Sequence, residues 1–369
     1  MKAWLSLHAA ELHYEPDIQV FTAISGPTPY LAARYLVLER GDGLTGLSEV
    51  RANIEFLSHI PEQEVAGSIH GLASALDWAA DPEQILRSLD EIGTSHPPIA
   101  RASIECLLVD AIATRDGRSI AEGLGGKGSP KTGTNQCLFW SSEKVFERLA
   151  RRYLAEGFSK LKVRIGVGDF DRDLRRLAML RELGGPGIEI AVDANGSWDG
   201  DTAQDRLHAL EPFGIAYLEQ PTRIGDWAAL EKLSQATPIP IMLDEGLTDD
   251  EDGEKLMRLG PPFLAHLKIV KLGGPRIVAR LARRFQDAGI GIMIGQMNEG
   301  AAATAMAAYC AMAARPTHAE LYGAYGLLDD ATSHVGYSDG QIVLSRQAGL
   351  GEGFNRGRCR VLWEIGSGK

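Results

Sequence analysis

Four short apolar runs in the middle of the chain each end at a charged residue: I-E-I-A-V-D (188–193), I-A-Y-L-E (215–219), I-P-I-M-L-D (239–244) and L-A-H-L-K (264–268). The residues that end them are Asp193, Glu219, Asp244 and Lys268. They are roughly 25 positions apart, which is the length of one strand, one helix and two short loops. Helix-length segments follow the runs, as a repeating βα unit requires. Parallel strands bring their ends to one edge of a sheet, so we expect these four side chains to meet there.

Three of the four side chains are carboxylates. Buried like charges are costly unless a cation compensates them. Hard oxygen ligands that share one ion favour Mg²⁺, and Mn²⁺ could take its place. We therefore expect Asp193, Glu219 and Asp244 to hold the metal, with Lys268 beside them. The alternative is that each is an ordinary solvated loop acid, and the regular spacing of the set argues against it.

Strand-like and helix-like segments alternate from residue 134 onward. The eight strand candidates are 134–140, 158–165, 188–193, 215–219, 239–244, 264–269, 289–295 and 318–322. Eight βα repeats over roughly 190 residues favour a parallel (β/α)7-8 barrel of the TIM type over an open doubly wound sheet. Before them, residues 1–50 have strand and turn patterns and residues 62–118 have helical patterns. This order indicates a small α+β domain in front of the barrel.

We divide the chain into three parts on this basis: an α+β capping domain (1–127), a catalytic barrel domain (128–330) and a C-terminal segment (331–369) that returns to the capping domain. A glycine-rich stretch, Gly123-Leu-Gly-Gly-Lys-Gly, lies near the first boundary. It matches G-x-G-x-x-G, but it follows a helix instead of a strand, so we interpret it as a linker. Gly26-Pro-Thr-Pro predicts an irregular loop in the cap.

Composition is that of an ordinary globular enzyme. A formal net charge of −11 argues against nucleic-acid or anionic-membrane partners. The four cysteines (Cys106, Cys137, Cys310 and Cys359) are far apart and indicate neither a zinc site nor a disulfide framework. The N-terminal residues lack the pattern of a signal peptide, and no apolar run is long enough to span a bilayer. We expect a cytoplasmic enzyme.

The second barrel strand, F-S-K-L-K-V-R-I (158–165), is basic on one face. A period of two places Lys160, Lys162 and Arg164 together, opposite three apolar residues. The apolar face should pack on helices, so the basic face should point into the barrel. Cations in that position require anions, which the carboxylates and an anionic substrate would supply. The alternative is a solvated edge strand with a basic face.

Lys268 of the sixth strand and the basic residues of the second strand would lie on roughly opposite sides of an eight-stranded barrel. A substrate carboxylate held between them would expose each face of its α-carbon to a basic residue. Removal of the α-proton gives an enediolate, whose developing charge a metal ion stabilises. The pattern predicts proton-transfer chemistry next to a carboxylate, with Lys268 as the base.

The motifs V-D-A-N-G, E-Q-P, D-E-G and L-K-I-V-K-L-G-G, in this order and spacing, resemble those of the enolase superfamily. Residues 100–126 resemble the family's helix from cap to barrel, and Ala348-Gly-Leu-Gly resembles its C-terminal P-G-L-G. The resemblance covers nearly the whole chain. It implies a Mg²⁺-dependent lyase or isomerase that acts on a small carboxylate. We also expect a homo-oligomer, from a dimer to an octamer.

The subgroup follows from strands seven and eight. Members like mandelate racemase place a catalytic histidine after strand seven, and this chain has none between His266 and His318. Gly295-Gln-Met-Asn-Glu-Gly and Ala319-Glu-Leu-Tyr-Gly instead resemble the T-M-L-E-G and C-E-L-F-G of muconate-lactonizing enzymes. Dipeptide epimerases carry D-x-D on strand eight to hold a substrate ammonium. Glu320 and Tyr322 stand there in this chain, which argues against that activity.

One position departs from the family pattern. The family's K-x-K is followed by one apolar residue and a glycine, and alignment on Gly166 makes the pair Lys162-x-Arg164. The alternative pair, Lys160-x-Lys162, lies two residues earlier. Arginine stays protonated in nearly all settings and is a poor base. We therefore expect Lys268 to be the only base, with Lys162 neutralising the substrate carboxylate and Arg164 beside the opposite face.

The best-supported function is that of a muconate cycloisomerase-type lactonizing enzyme. Dehydration by β-elimination and racemisation or epimerisation are alternatives on the same scaffold. An alternative from another class is a catalytically impaired barrel that only binds a metal–carboxylate ligand. The cap segment Ser25–Tyr30 and the turn Arg51–Asn53 should close over the substrate. Further contacts to the substrate or the metal ligands are expected from Asn195, Glu245, Gln296, Glu299 and Tyr30.

Overall fold

The N-terminal part of the chain forms an antiparallel sheet covered by helices. The computed structural model describes residues 2–344 and 348–367. The first strands are β1 (Ala3–Leu12), β2 (Val20–Thr22), β3 (Gly26–Thr28), β4 (Leu31–Arg40) and β5 (Thr45–Arg51). The helices after them are α1 (Glu55–Ser58), α2 (Glu62–Ser74), α3 (Pro82–Ile92), α4 (Pro98–Arg115) and α5 (Ile120–Gly123). Strand β4 lies between β1 and β5, and alternate residues such as Leu5 and Leu7 are buried beneath the helices.

Helix α4 lies between the cap and the barrel. One apolar face of this helix, which includes Ala102 and Cys106, belongs to the core cluster of the barrel. The opposite face, which includes Ile104 and Leu108, belongs to the core cluster of the cap. All residues from Ile99 to Ala113 are buried as a result. A helix that is covered on both faces is expected to be mostly apolar, as α4 is, although Arg101, Glu105 and Asp110 are also buried in it.

A parallel eight-stranded sheet forms the nearly closed barrel. After β6 (Lys131–Gly133), its strands are β7 (Gln136–Leu138), β8 (Lys160–Arg164), β9 (Glu189–Asp193), β10 (Ile215–Glu219), β11 (Ile241–Leu243), β12 (Leu264–Lys268), β13 (Gly291–Gly295) and β14 (His318–Glu320). They neighbour one another in chain order. The Asn135 amide donates to the Ala319 carbonyl at 2.9 Å between the first and last strands. All eight predicted strands are confirmed, shorter by at most two residues at either end.

Helices surround the barrel. They are α6 (Glu143–Ala155), α7 (Phe170–Gly184), α8 (Gly200–Leu210), α9 (Trp227–Ala236), α10 (Asp250–Leu259), α11 (Ile269–Leu272), α12 (Pro275–Asp287) and α13 (Ala301–Ala314). Helices α6, α7, α9 and α10 begin at a side chain that accepts a backbone hydrogen bond, namely Ser142, Asp169, Asp226 and Asp249. Such caps satisfy amides that the first helical turn leaves without partners. No helix in the described part of the chain has the length and apolar character needed to cross a bilayer.

The two faces of the barrel strands have different roles. Outward side chains such as Val163, Val192 and Leu267 are buried in the large cluster that includes the helices. Inward positions one pleat below the mouth form a small apolar cluster that consists of Ala191, Tyr217, Met242 and Met293. Each of these lies two residues before a residue at the mouth, because strand side chains alternate. The layer one pleat below the charged mouth is therefore mostly apolar, although Lys162 and His266 also belong to it.

Helix α13 begins at Gly300, which has no side chain to cap it. Glu49 of β5 takes this role, because its carboxylate accepts from the amides of Gly300 at 2.7 Å and of Ala302 and Ala303 at 3.1 Å. A Cβ on Gly300 would overlap the Glu49 carboxylate. A side chain of the cap sheet thus caps a helix of the barrel, and this contact joins the two parts.

The C-terminal part returns to the cap, as expected. Strands β15 (Val335–Ser338) and β16 (Gln341–Leu344) pair with each other, and β16 also pairs with β6. Strand β17 (Arg360–Ser367) then pairs with β1 at the edge of the cap sheet. The expected fold class, a barrel with an α+β cap completed by the C-terminal segment, is confirmed. The domain boundaries at 127 and 330 stay predictions.

One prediction in the cap was wrong. Gly26–Thr28 is not irregular, since it forms β3 and pairs with β2 in a two-stranded hairpin. Pro27 lies opposite Phe21 in this ribbon. A two-stranded ribbon has a free edge, where a proline without an amide hydrogen is tolerated.

Candidate active site

Neighbouring strands bring the predicted site residues side by side at one mouth of the barrel. Arg164 of β8 pairs with Asp193 of β9, and Asp193 pairs with Glu219 of β10. Asp244 follows β11 directly, and Lys268 is the last residue of β12. All five side chains are buried. Because the strands are parallel and neighbour one another in chain order, the charged residues at their ends lie together at the mouth, as the spacing predicted.

Lys162 lies one pleat below this layer and is fully excluded from solvent. Its Nζ is 2.9 Å from Glu219 Oε2 and 3.4 Å from Asp193 Oδ2, and it also contacts Glu320 of β14. Burial and the neighbouring Arg164 act to lower the pKa of Lys162, but attraction to Glu219 and Glu320 outweighs both and raises it. Lys162 is therefore a fixed cation at the centre of the barrel.

Arg164 lies at the mouth and contacts Asp193 directly. Its Nη2 donates to the hydroxyl of Tyr322 at 3.3 Å, and its Nη1 donates to Asn195 Oδ1 at 3.5 Å. The guanidinium carbon lies 5.9 Å from the centre of the Phe139 ring. Contacts on several sides hold this side chain in one position beside the site.

Lys160 lies at the other end of the same strand. Its side chain is 44% exposed, and its Nζ is 3.3 Å from Glu189. Since Lys160 faces away from the mouth, the pair that enters the charged layer consists of Lys162 and Arg164. This geometry agrees with the alignment on Gly166.

Two lysines surround Asp244. Lys268 contacts its Oδ2 atom directly, and Lys271 Nζ is 3.0 Å from Oδ1. Lys271 also donates to the carbonyls of Asp244 at 2.6 Å and of His266 at 2.9 Å. Burial acts to raise the pKa of Asp244, but the two ammonium groups outweigh it and hold that pKa well below its usual range. Asp244 is therefore a permanent carboxylate.

His266 lies one pleat below the mouth, beside the predicted metal ligands, and the sequence pattern alone assigns it no role. Its Nδ1 is 2.9 Å from Glu219 Oε1 and 3.8 Å from Asp244 Oδ1. Burial lowers the pKa of His266, so the ring is neutral. A Cβ on Gly295 would overlap its Nε2 atom, which shows that the neighbouring strand needs glycine there. A period of two from Lys268 predicts that His266 is on the same face of the strand, and the structure places it there.

The predicted metal ligands are only partly grouped. Ligand atoms of Glu219, Asp244 and His266 lie within 4.8 Å of one another. Asp193 is outside this group and is instead held by Arg164 and Lys162. Its role as a ligand stays a prediction. The donor set of buried carboxylate oxygens fits Mg²⁺, which prefers oxygen ligands.

The predicted polar contacts are distributed around the mouth. Asn195 Nδ2 donates to Glu245 Oε1 at 2.9 Å, and Glu245 Oε2 is buried without a partner among the described residues. Gln296 accepts from the Glu299 amide at 3.3 Å. Burial raises the pKa of both Glu245 and Glu299. Tyr30 lies apart from these residues, packs on the cap core, and accepts from Asn53 Nδ2 at 2.8 Å through its carbonyl.

A small cavity lies between the cap and the mouth. Its volume is about 30 Å³, which is room for about two water molecules. Side chains from the hairpin, from the turn after β5 and from the barrel line it: Val20, Thr22, Ile24, Ser25, Arg51, Phe56, Arg164, Asn195, Asp244, Glu245, Lys268, Gln296, Met297 and Asn298. This volume is smaller than that of a typical ligand pocket. Glu299 and Tyr30 are not part of this lining.

Known proteins share this architecture and sequence. Residues 145–357 match the model of the enolase C-terminal domain-like family. Muconate cycloisomerase 1 of Pseudomonas putida is 28% identical over 319 residues, which cover 84% of each chain. The L-Lys-D/L-Arg epimerase of Methylococcus capsulatus is 30% identical over 332 residues, which cover 85% of this chain and 89% of the relative.

Solved structures of known proteins have the same fold as this chain. The muconate lactonizing enzyme of Pseudomonas fluorescens, complexed with muconolactone, has a TM-score of 0.89 at 26% identity over 96% of both chains. The dipeptide epimerase of Cytophaga hutchinsonii, complexed with Mg and D-Ala-L-Val, has a TM-score of 0.87 at 22% identity over 99% of this chain and 100% of the other. The fold and charged mouth define an enzyme of the lyase and isomerase type. The chain belongs to the enolase C-terminal domain-like family, in the mandelate racemase and muconate lactonizing subgroup of the enolase superfamily.

Proposed function

We propose that this enzyme is a Mg²⁺-dependent lactonizing enzyme of the muconate cycloisomerase type. It abstracts or returns the α-proton of a small carboxylate through an enediolate. The observation that carries the proposal is the pair of residues on opposite sides of the mouth. Lys268 can exchange a proton, whereas Arg164 holds the position at which the family's K-x-K pattern has a second lysine.

Asp193, Glu219 and Asp244 are the proposed metal ligands. A dipeptide epimerase structure from Enterococcus faecalis also contains Mg, at 25% identity and a TM-score of 0.84. A bound divalent ion supplies positive charge for the enediolate oxygens, and Mn²⁺ could replace Mg²⁺ in this role. Asp244 suits a cation because its neighbours keep it ionised.

The chain's own residues perform the proton transfer. Lys268 takes the α-proton in its neutral form and returns it from the same side. Lys162 stays protonated between Glu219 and Glu320 and compensates the negative charge of the substrate carboxylate. Arg164 stabilises charge on the opposite side without giving up a proton. Lys162 lies among apolar side chains one pleat below the mouth, where Ala191 is its neighbour on β9. These side chains exclude water, which strengthens the electrostatic interactions.

A single base is sufficient for cycloisomerisation and for dehydration, because each needs one proton to be removed or returned on one face of the α-carbon, and in dehydration the β-hydroxyl leaves as water. Racemisation needs a group on each face that can give and take a proton. Racemisation or epimerisation is still the second candidate, since the Methylococcus capsulatus relative is an epimerase at 30% identity. In that case Lys162 would have to serve as the second base, since Lys160 faces away from the mouth. A barrel that only binds a metal–carboxylate ligand is the alternative without catalysis.

Hydrogen–deuterium exchange in D₂O tests the proposal. The enzyme with Mg²⁺ is incubated with a library of small carboxylates, and NMR follows the α-proton of each enantiomer separately. We expect exchange in one enantiomer only, and its loss in Lys268→Ala. Equal exchange in both enantiomers would favour racemisation. Absence of exchange across the library would favour the binding-only alternative. Cytoplasmic location and homo-oligomeric assembly also stay predictions.

A further inference from the structure

A wide groove lies at the end of the barrel opposite the mouth. Its walls come from residues that precede or begin strands β7, β8 and β14, together with the end of helix α13 and the turn between β15 and β16. These strands are parallel, so this face holds their N-terminal ends, whereas the charged mouth lies at their C-terminal ends. The volume of the groove is about 740 Å³, which is within the range of cavities that bind small molecules.

Close backbone contacts fix two walls of this groove. The turn after β15 lies against Gly157, since a Cβ on Gly157 would be 2.9 Å from the Asp339 Cα atom. Likewise, a Cβ on Gly126 would overlap the Cα atom of Ala313 in helix α13. Gly126 belongs to the glycine-rich stretch 123–128, which therefore packs on the barrel and forms part of a wall. The groove is thus formed by the fold itself and needs no ligand to open it.

Three cations of the groove have no acidic partner. Lys127, Lys131 and Arg315 line the groove and are exposed. None of their charged nitrogen atoms lies within 4.0 Å of a carboxylate oxygen of residues 2–344 and 348–367. Arg315 follows the last turn of helix α13, where positive charge is favourable in any case. Lys127 lies in the loop after α5 and Lys131 begins β6, so helix ends do not explain these two residues.

The other charges of the groove are balanced or few. Lys160 Nζ is 3.3 Å from Glu189 Oε2, and His318 Nδ1 is 3.2 Å from Oε1 of the same carboxylate. Asp339 is the one carboxylate among the described residues of the lining, and it accepts from the Ser338 hydroxyl at 2.9 Å. Three unpaired cations therefore stand against one acid, although the formal net charge of the protein is −11. A groove with this local excess of positive charge attracts anions.

Neutral groups of the lining indicate which anion fits. The side chains of Ser159, Thr317 and Gln341 line the groove and have no hydrogen bond to another described residue. They can donate to a ligand with many acceptor oxygens. Met312 and Pro316 add apolar surface beside them. A compact group with several negative charges and many oxygens, such as a diphosphate, matches this set of donors and cations.

We propose that this groove binds a diphosphate group, either free or as part of a small organic molecule. The phosphates lie among Lys127, Lys131 and Arg315, and the hydroxyls of Ser159 and Thr317 donate to further oxygens. The inference goes beyond the proposed function, because the site is at the other end of the barrel and takes no part in proton transfer at the mouth.

Calorimetry with matched probes tests the inference, in buffer without divalent ions so that no metal at the mouth can hold a phosphate. We expect pyrophosphate to bind at least about 5-fold more tightly than phosphate, because its second charged group reaches a further cation. Citrate carries similar charge in another shape and should bind more weakly than pyrophosphate. Equal affinities in either comparison would overturn the inference. ADP should bind more tightly than AMP for the same reason. ADP binding above that of pyrophosphate would identify an organic source of the diphosphate, and the reverse order an inorganic one.

Variants assign the binding to the groove. Lys131→Gln and Arg315→Gln should each weaken pyrophosphate binding about 2-fold to 5-fold, as the loss of one exposed ion pair allows, and the double variant about 10-fold. Both side chains are exposed, so the variants should fold. Lys144→Gln is the control, because it removes an exposed cation of helix α6 that does not line the groove, and it should bind pyrophosphate like the natural protein. Unchanged affinity in the double variant would place the diphosphate elsewhere and overturn the inference.

Discussion

The Lys162 ammonium lies 2.9 Å from Glu219 Oε2 in the middle of the barrel, and neither side chain is accessible to solvent. Glu320 contacts the same ammonium from the last strand. One lysine therefore balances the negative charge of carboxylates on two strands that are far apart in the sequence. Removal of a buried counter-ion leaves the remaining charges unpaired, which is more harmful than the loss of an exposed ion pair.

Lys162→Met should lower the free energy of unfolding by about 3 to 5 kcal/mol, because Glu219 and Glu320 lose their shared cation. Lys160→Met is the control on the same strand, since its pair with Glu189 is half-exposed. It should cost less than about 1 kcal/mol. Urea unfolding followed by circular dichroism measures both values. Similar losses in the two variants would contradict the assignment of Lys162 to the barrel interior.

Asp244→Asn should weaken Mg²⁺ binding at least about 10-fold, because it replaces a carboxylate that stays ionised by a neutral amide. Isothermal titration calorimetry compares it with the natural protein. Asp249→Asn is the matched control, because Asp249 is an exposed helix cap and asparagine caps equally well. Unchanged Mg²⁺ affinity in Asp244→Asn would remove Asp244 from the ligand set.

Arg164→Lys should add exchange from the second face of the α-carbon and produce racemase activity. The natural arginine stays protonated, whereas a lysine in the same place can give and take a proton. NMR in D₂O on separate enantiomers measures the change. Arg164→Gln removes the charge without supplying a base and should not gain this activity. If the natural enzyme already exchanges both enantiomers, the one-base mechanism is wrong.

The barrel and much of its mouth could be predicted because local patterns determine them. A strand has two faces, so the order of Lys162, Val163 and Arg164 is enough to decide which side chains enter the barrel. The charged residue at the end of each apolar run then belongs to the mouth once the strands are parallel. None of these inferences requires knowing which remote parts of the chain come close together in the fold.

Other features depend on contacts between remote parts of the chain and could not be predicted. The partner of Lys271 is set by helix α11, which brings this residue back to Asp244 although it lies three positions beyond the strand. The neutral partners of Arg51 come from its own turn and from a loop more than 200 residues later, at Met297. The pairing of Pro27 with Phe21 depends on a free edge that the sequence does not reveal.

Asp110 should make stability depend on pH. It accepts from the Leu47 amide at 2.8 Å and the Leu350 amide at 2.5 Å, and burial raises its pKa to about 7. A pKa above that of the unfolded chain means that the folded state binds more protons. The contribution is complete below about pH 4 and is lost as the pH rises through 7. Between pH 5 and pH 8 the change is about 2 to 3 kcal/mol.

The measurement compares the natural protein with Asp110→Asn. The unfolding free energy of the natural protein should fall relative to that of the variant as the pH rises from 5 to 8. Other titrating groups are common to both proteins and cancel in the difference. A difference that is constant over this range would show that Asp110 stays ionised when folded.

The Glu49 cap on helix α13 limits how this enzyme could acquire new specificities. Because the acceptor comes from the cap and the amide donors from the barrel, a foreign cap would have to supply the acid, and a foreign barrel would have to supply the glycine at position 300. The hairpin of β2 and β3 takes no part in this helix cap, although it lines the cavity. Evolution and laboratory grafting therefore have most freedom in Val20–Thr28, and least in the sheet that supports it.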